Sequence, residues 1–316
     1  MINSNFYWSV YKNLEKEIIQ LSNQIHFDEN QLSVYSIKII ELLIRTSVEI
    51  EAISKELYFQ NDGLELRGED GKKREVFFDT DCLEFLNKKW LLSEKKVLVS
   101  AATFYFKEVE NKVLTPLKKA NKRGSSGADW KIAYQAVKHN RARNLDNGNI
   151  KVLIRAMAAL FLLNLYYRDE KITLGTFNQN DGFETGFGSE IFSIKSIYAS
   201  FEDTTGKISL PEDNIECVYL MKLTDPAYKN VVNSCKKYSE KEKNTILESD
   251  EFKIFMEKNP NYSFSDKHLL SICNDIGGNE FLQKIFRLRN NSVNLLQNSA
   301  VELVLNKNQK IYPDIE

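Results

Sequence analysis

The chain of 316 residues is organised around one stretch, Trp130-Lys-Ile-Ala-Tyr134-Gln-Ala-Val137-Lys138-His139-Asn140-Arg141-Ala-Arg143. It is the place where a histidine, lysines and two arginines stand close together beside large aromatic residues. Asp129 precedes it, and aspartate is a favoured N-cap, so we predict that a helix begins here. The most apolar segment of the chain, residues 150–167, follows as a second helix.

One face of the predicted helix should point into a core. Trp130, Tyr134, Val137 and Arg141 follow each other in steps of 4, 3 and 4 residues, which is the spacing of one helical face. A buried guanidinium needs a carboxylate partner. Glu51, on the apolar stripe of an earlier helix, is the expected one. The pair is open to two interpretations, a structural bridge or an active-site arginine held by an acid.

The opposite, polar face carries His139, beside Gln135 and Lys131. A histidine among cations can move a proton or contact RNA, and Lys138 and Arg143 add positive charge nearby. The alternative is an ordinary surface histidine without a role.

Composition places the chain among globular proteins, with 42% hydrophobic and 28% charged residues. The formal net charge of −1 excludes recruitment of nucleic acid by a global field, so anion binding must come from a local patch. Four scattered cysteines are typical of reduced thiols in a cytoplasmic protein. No spacing predicts a metal or a cofactor. No apolar run reaches the roughly 18 residues of a membrane span, so no membrane partner is expected.

Apolar periodicity predicts helices over residues 5–24 and 33–59. On the second of these, Arg45 and Glu49 are four residues apart and within reach of each other. A polar and partly extended insertion, residues 61–128, ends in a basic, Gly/Ser-rich loop. That loop either contacts nucleic acid or is a plain surface loop. Its cations are Lys118, Lys119, Lys122 and Arg123.

After residue 168 the pattern changes. Residues 172–201 and 208–223 mix β-branched and aromatic residues in a region with many glycines, which favours short strands. Helices should follow from residue 225, with a break at Gly277-Gly278 and a last helix from about 280 to 305. We therefore predict a mainly α protein. Residues 1–170 should form a helix bundle with the insertion at about 61–128, and residues 171–316 an α+β accessory region of short strands and helices.

Three segments resemble HEPN-like bacterial proteins, which are helical proteins of antiphage, abortive-infection and toxin–antitoxin systems. They are Leu42-Leu-Ile-Arg-Thr-Ser-Val-Glu-Ile-Glu51, the pattern Trp130-x-x-x-Tyr134-x-x-x-Lys138-His139-x-Arg141, and Ala156-Met-Ala-Ala-Leu-Phe-Leu-Leu163. The resemblance covers about the first half of the chain. It implies a HEPN-like bundle, RNA as a partner, a possible homodimer or defence-system protein partner, and metal-independent ribonuclease chemistry.

Three functional interpretations result. The first is a HEPN-like ribonuclease or RNA-binding protein that acts through His139, Arg141 and Lys138. The second is a non-catalytic interaction or structural protein that uses the bundle as a dimer or partner interface. The third is an unrelated enzyme whose site lies in the glycine-rich second half, where no chemical constellation stands out.

Overall fold

The structure is a computed structural model. It describes residues 6–118, 129–180, 182–201, 208–262 and 269–312. The helices of the described part are α1 (Phe6–Ser22), α2 (Ile37–Gln60), α3 (Glu84–Trp90), α4 (Val109–Lys112), α5 (Asp129–Asn140), α6 (Ile150–Arg168), α7 (Asp225–Glu248), α8 (Asp250–Lys258) and α9 (Leu269–Gln297).

Helix α6 is the centre of the N-terminal half. Almost all of its residues are buried, and α1, α2 and α5 pack around it. Thr46 of α2 donates a hydrogen bond to the sulfur of Met157 on α6. The first turns of α2 and α6 meet at Gly148, where an added Cβ would lie 2.5 Å from the Ile40 side chain. Glycine at this position therefore permits the close approach of the two helices.

By length and composition α6 could cross a membrane, and no other helix in the described ranges could. However, 89% of its apolar window is buried inside the protein. This burial is that of a core helix, because its apolar side chains face other side chains on all sides.

The strands of the described part form three sheets. They are β1 (Val97–Val99), β2 (Val113–Leu114), β3 (Ile172–Thr176), β4 (Gln179–Asn180), β5 (Phe192–Ile194), β6 (Ser196–Tyr198), β7 (Ser200–Phe201), β8 (Ile208–Ser209), β9 (Tyr219–Leu223) and β10 (Ala300–Leu305). The largest sheet has the order β4-β3-β10-β9-β6 and is antiparallel except for the β6–β9 pair. A second has the order β2-β1-β5, and β7 pairs with β8.

The predicted mainly α fold with short strands is confirmed, but the end of the chain differs from expectation. The last helix stops at Gln297 instead of running to residue 305, and Ala300–Leu305 is a strand. This segment fills the place between β3 and β9, so the partners on both sides select the extended conformation. The predicted break at Gly278 is present as a non-helical backbone with φ of 60°.

One apolar core joins the two halves of the chain. Strand β1, from the segment between α2 and α5, pairs with β5 through Val97 and Ile194. The same buried cluster extends from Tyr11 of α1 to Tyr312 near the C-terminus. A second, smaller cluster lies between α7, α8 and α9 and holds these three helices together. Its buried members are Ile246, Phe252, Ile272, Cys273, Phe281 and Ile285.

A buried carboxylate on α1 fixes the loop that precedes β5. Glu15 of α1 is fully buried, and one of its oxygens accepts hydrogen bonds from the hydroxyls of Tyr11 and Ser189, at 2.9 and 2.5 Å. The backbone amides of Glu190 and Ile191 donate to the same oxygen at 2.9 and 3.1 Å. Because four donors converge on it, this carboxylate determines where the chain enters β5.

A second buried charged residue, Lys95, contacts the 3-10 turn Glu212–Glu216 that precedes β9. Lys95 has no exposed surface, and its ammonium donates to the carbonyl of Ile215 at 2.8 Å. Among the described residues no carboxylate forms an ion pair with it. Burial lowers the pKa of Lys95 to about 8, because the charged form loses its hydration.

Candidate functional site

Helix α5 positions the candidate residues through its buried face. Trp130 is fully buried, and its indole nitrogen donates to the carbonyl of Pro116 at 2.8 Å. Tyr134 and Val137 are buried beside it, as the helical spacing indicates. These three buried residues fix the rotation of α5 about its axis, so positions on the other sides of the helix face away from this core contact.

The structure contradicts the expectation for Arg141. Helix α5 ends at Asn140, whose φ of −149° and ψ of 67° leave the helical region. The side chain of Asn144 then donates to the carbonyls of Ala136 and Asn140 and so caps the end. Arg141 consequently starts a short 3-10 turn, Arg141–Arg143, and its side chain is exposed rather than buried beside Val137.

Glu51 therefore does not neutralise Arg141, and its neighbours are residues of α5 itself. It acts electrostatically on Tyr134, Lys138 and Lys131. Burial raises the pKa of Tyr134, and the Tyr134 hydroxyl in turn raises the pKa of Lys138. The Lys138 ammonium lies 5.2 Å from the centre of the Tyr134 ring. Lys138 is thus held over α5 by Tyr134 and Glu51.

A buried ion pair that the sequence did not reveal lies on the same helix. Lys131, expected on the polar face near His139, is buried and pairs with Asp79. Its ammonium also lies 5.4 Å from the centre of the Phe78 ring. Burial lowers the pKa of Lys131 to about 8, while the charge of Glu51 opposes this. The pair anchors the segment between α2 and α5 to α5. It could not be predicted because the two residues are 52 positions apart.

The predicted pairing of Arg45 with Glu49 is replaced by a different ion pair. Arg45 donates to Glu17 of α1 at 2.6 Å, and Lys38 pairs with the same carboxylate. Burial raises the pKa of Glu49, and the charge of Arg45 partly compensates. These residues connect α1 with α2 on the side of α2 away from α5. They take no part in the candidate site.

The end of α5 presents a group of exposed cations. His139, Arg141 and Arg143 are exposed, and Lys138 precedes them on the last helical turn. Throughout the described ranges, no carboxylate pairs with His139, Arg141 or Arg143. Carbonyl groups at a helix C-terminus stabilise such cations by their partial negative charge. We call Lys138, His139, Arg141 and Arg143 the α5-end cluster.

A cleft opens at the other end of α5. It has a volume of about 330 Å³ and is lined by Lys118, Asp129, Trp130, Arg155 and the backbone around β2. The carboxylate of Asp129 accepts from the amide of Trp130 at 3.1 Å and pairs with Arg155. Lys118 is exposed at the rim. The other basic residues predicted to contact nucleic acid, Lys119, Lys122 and Arg123, lie outside the described residues.

The other described regions contain few side chains suited to catalysis or metal binding. His26 is exposed and stacks on Tyr105, with 4.3 Å between the ring centres. In the described part of the chain, no three histidine, cysteine, aspartate or glutamate residues lie close enough to share a metal ion. Comparison with protein-family models, curated proteins and solved structures gave no match. The function must therefore be inferred from the site alone.

Proposed function

We propose that this chain is a HEPN-like RNA-binding protein of a bacterial antiphage or stress-response system, and that it contacts RNA through the α5-end cluster. The observation that carries the proposal is the exposure of Arg141 and Arg143 without an acidic partner among the described residues. When an exposed cation is already paired with a carboxylate, its charge is largely neutralised and its attraction for a phosphate is weak. An unpaired guanidinium can donate to phosphate oxygens in a planar, bidentate arrangement.

His139 gives the cluster a group for acid–base chemistry. Its imidazole is exposed two residues before Arg141, so both can reach one phosphodiester. In the proposed reaction the imidazole accepts the proton of a ribose 2′-hydroxyl. The 2′-oxygen then attacks the adjacent phosphorus, and the bond to the 5′-oxygen breaks as that oxygen takes a proton from solvent water. The imidazolium afterwards returns its proton to the solvent. Arg141 stabilises the negative charge on the phosphorane oxygens. The products are a 2′,3′-cyclic phosphate and a 5′-hydroxyl, and no step requires a metal.

The test is incubation of single-stranded RNA with the protein in the presence of EDTA. We expect slow cleavage by the wild type and a loss of rate of at least about 100-fold in His139→Ala, the usual contribution of an acid–base group. His26→Ala is the matched control, because it removes another exposed histidine, and its rate should be unchanged. Arg141→Gln should weaken RNA binding, both as a single change in the wild type and when combined with His139→Ala.

A second function, a non-catalytic interaction protein, is favoured by one observation. Ile132 of α5 and Val48 of α2 are exposed by 64% and 46%, and such side chains are common in protein interfaces. Under this alternative the bundle binds a second copy or a partner protein, and Arg141 and Arg143 lie at the rim of that interface. It would be preferred if the wild type neither cleaves nor binds RNA in the same assay.

A further inference from the structure

A second cationic surface lies on α7, far along the chain from the α5-end cluster. Five lysines of this helix are exposed, and at 100° per residue they fall within about 160° of its circumference. We call them the α7 lysine face: Lys229, Lys236, Lys237, Lys241 and Lys243. One exposed carboxylate, Glu240, lies between Lys229 and Lys243. Asp225 and Glu248 are exposed at the two ends of the helix on the same side, whereas Glu242 is buried.

The orientation of this face is fixed by the packing of α7. Tyr228, Val231 and Val232 are buried on the opposite side against the main core, and Ile246 is buried in the small core with α8 and α9. The lysines therefore cannot turn inward without exposing these apolar side chains. None of the five forms an ion pair with a residue that the structure describes.

Charge and composition distinguish the face from an ordinary solvated helix. The whole chain has a net charge of −1, whereas the exposed side of α7 between Lys229 and Lys243 carries five lysines and one carboxylate, a local patch of the kind that anion binding requires. Three exposed asparagines, Asn230, Asn233 and Asn244, lie on the same side of the helix, and their amides can donate hydrogen bonds. No large apolar side chain is exposed on this arc, so it lacks what insertion into a lipid surface needs.

We propose that the α7 lysine face binds the phosphodiester backbone of single-stranded RNA, independently of base sequence. This deepens the proposed function and rests on it, since the same RNA would reach both surfaces. From Lys229 to Asn244 the helix rises about 22 Å, long enough to follow several phosphates of one strand. Lysine ammonium groups on flexible stems suit this task, because each can follow a phosphate without a fixed bidentate geometry.

The test is the salt dependence of RNA binding, measured by fluorescence anisotropy with a labelled single-stranded oligonucleotide. In one variant all five lysines of the face are changed to Gln, which keeps the helix. For single strands each neutralised phosphate contributes about 0.7 to the slope of log K against log salt. We therefore expect the slope to fall in magnitude by about 3, and affinity at about 100 mM salt to fall more than about tenfold.

The matched control removes the same charge from lysines that are exposed but already paired with carboxylates. It carries five Lys→Gln changes, at Lys38, Lys73, Lys88, Lys195 and Lys253. Its slope should equal that of the wild type. Equal slopes for the α7 variant and the wild type, with binding still weakened in Arg141→Gln, would overturn this inference and leave the proposed function standing. Absence of wild-type binding to RNA would overturn both, and binding to anionic vesicles alone would also overturn this inference.

Discussion

Replacement of Glu15 by alanine should lower the free energy of unfolding by about 3–5 kcal/mol, the cost of breaking a buried charged network. The carboxylate is fully buried and receives donors from two segments far apart in the chain, Tyr11 on α1 and Ser189 with the amides after it. Without it, these groups stay buried but lose their acceptor, and each unpaired donor costs about 1–3 kcal/mol. Urea denaturation measures the loss directly.

Two further variants define the cause of this loss. Glu15→Gln keeps the volume and one acceptor oxygen, so its loss should lie between those of the wild type and the alanine variant. Lys16→Ala, at the exposed neighbouring position, should change stability by less than about 0.5 kcal/mol. Hydrogen exchange should show lost protection at the amides of Glu190 and Ile191. A Glu15→Ala protein within about 1 kcal/mol of the wild type would contradict the importance given to this carboxylate.

Replacement of Lys95 by methionine should stabilise the protein at about pH 7 by roughly 2 kcal/mol. The pKa of Lys95 in the folded protein is about 8, below its ordinary value of 10.5. A difference of this size corresponds to about 3 kcal/mol against the charged form. Methionine removes this penalty and retains the apolar stem. It also leaves the carbonyl of Ile215 without its donor, which costs about 1 kcal/mol.

The advantage of the methionine variant should depend on pH. Below about pH 8 the lysine is protonated in both the folded and the unfolded state, so the penalty is fully present. Between about 8 and 10.5 the unfolded state binds more protons, so wild-type stability rises relative to the variant, and the difference should shrink and change sign. Denaturation at about pH 7 and pH 9.5 measures this change. Lys107→Met, at an exposed lysine, serves as control. A pH-independent difference would exclude a charged penalty at Lys95.

Helical periodicity was sufficient to predict α1, α2 and α6 and the buried face of α5. Helices α1, α2 and α5 each bury a continuous stripe, and α6 is apolar over almost its whole length; both patterns are visible in the order of apolar residues. Periodicity could not show where α5 ends. That end depends on Asn140 and Asn144, which cap the helix and turn Arg141 outward. A projection that continues the helix by one residue therefore placed Arg141 in the core.

Long-range partners account for the other differences. Residues 300–305 have apolar side chains that would fit a helix or a strand, and pairing with β3 and β9 decides between them. Glu51 was recognised as a carboxylate that needs a partner, but its neighbour depends on how α2 and α5 are rotated against each other. The Lys131–Asp79 pair depends on the path of the segment between these helices. None of these relations leaves a local pattern in the sequence.

The central claim is that RNA lies against the end of α5. Photo-crosslinking of the wild-type protein to single-stranded RNA containing 4-thiouridine tests it most directly, with the attached peptides identified by mass spectrometry. We expect crosslinks in the segment from Gln135 to Asn147, which contains His139 and Arg141. Competition with unlabelled RNA should remove them. Crosslinks confined to other segments, or none where the RNA is bound, would contradict the proposed site.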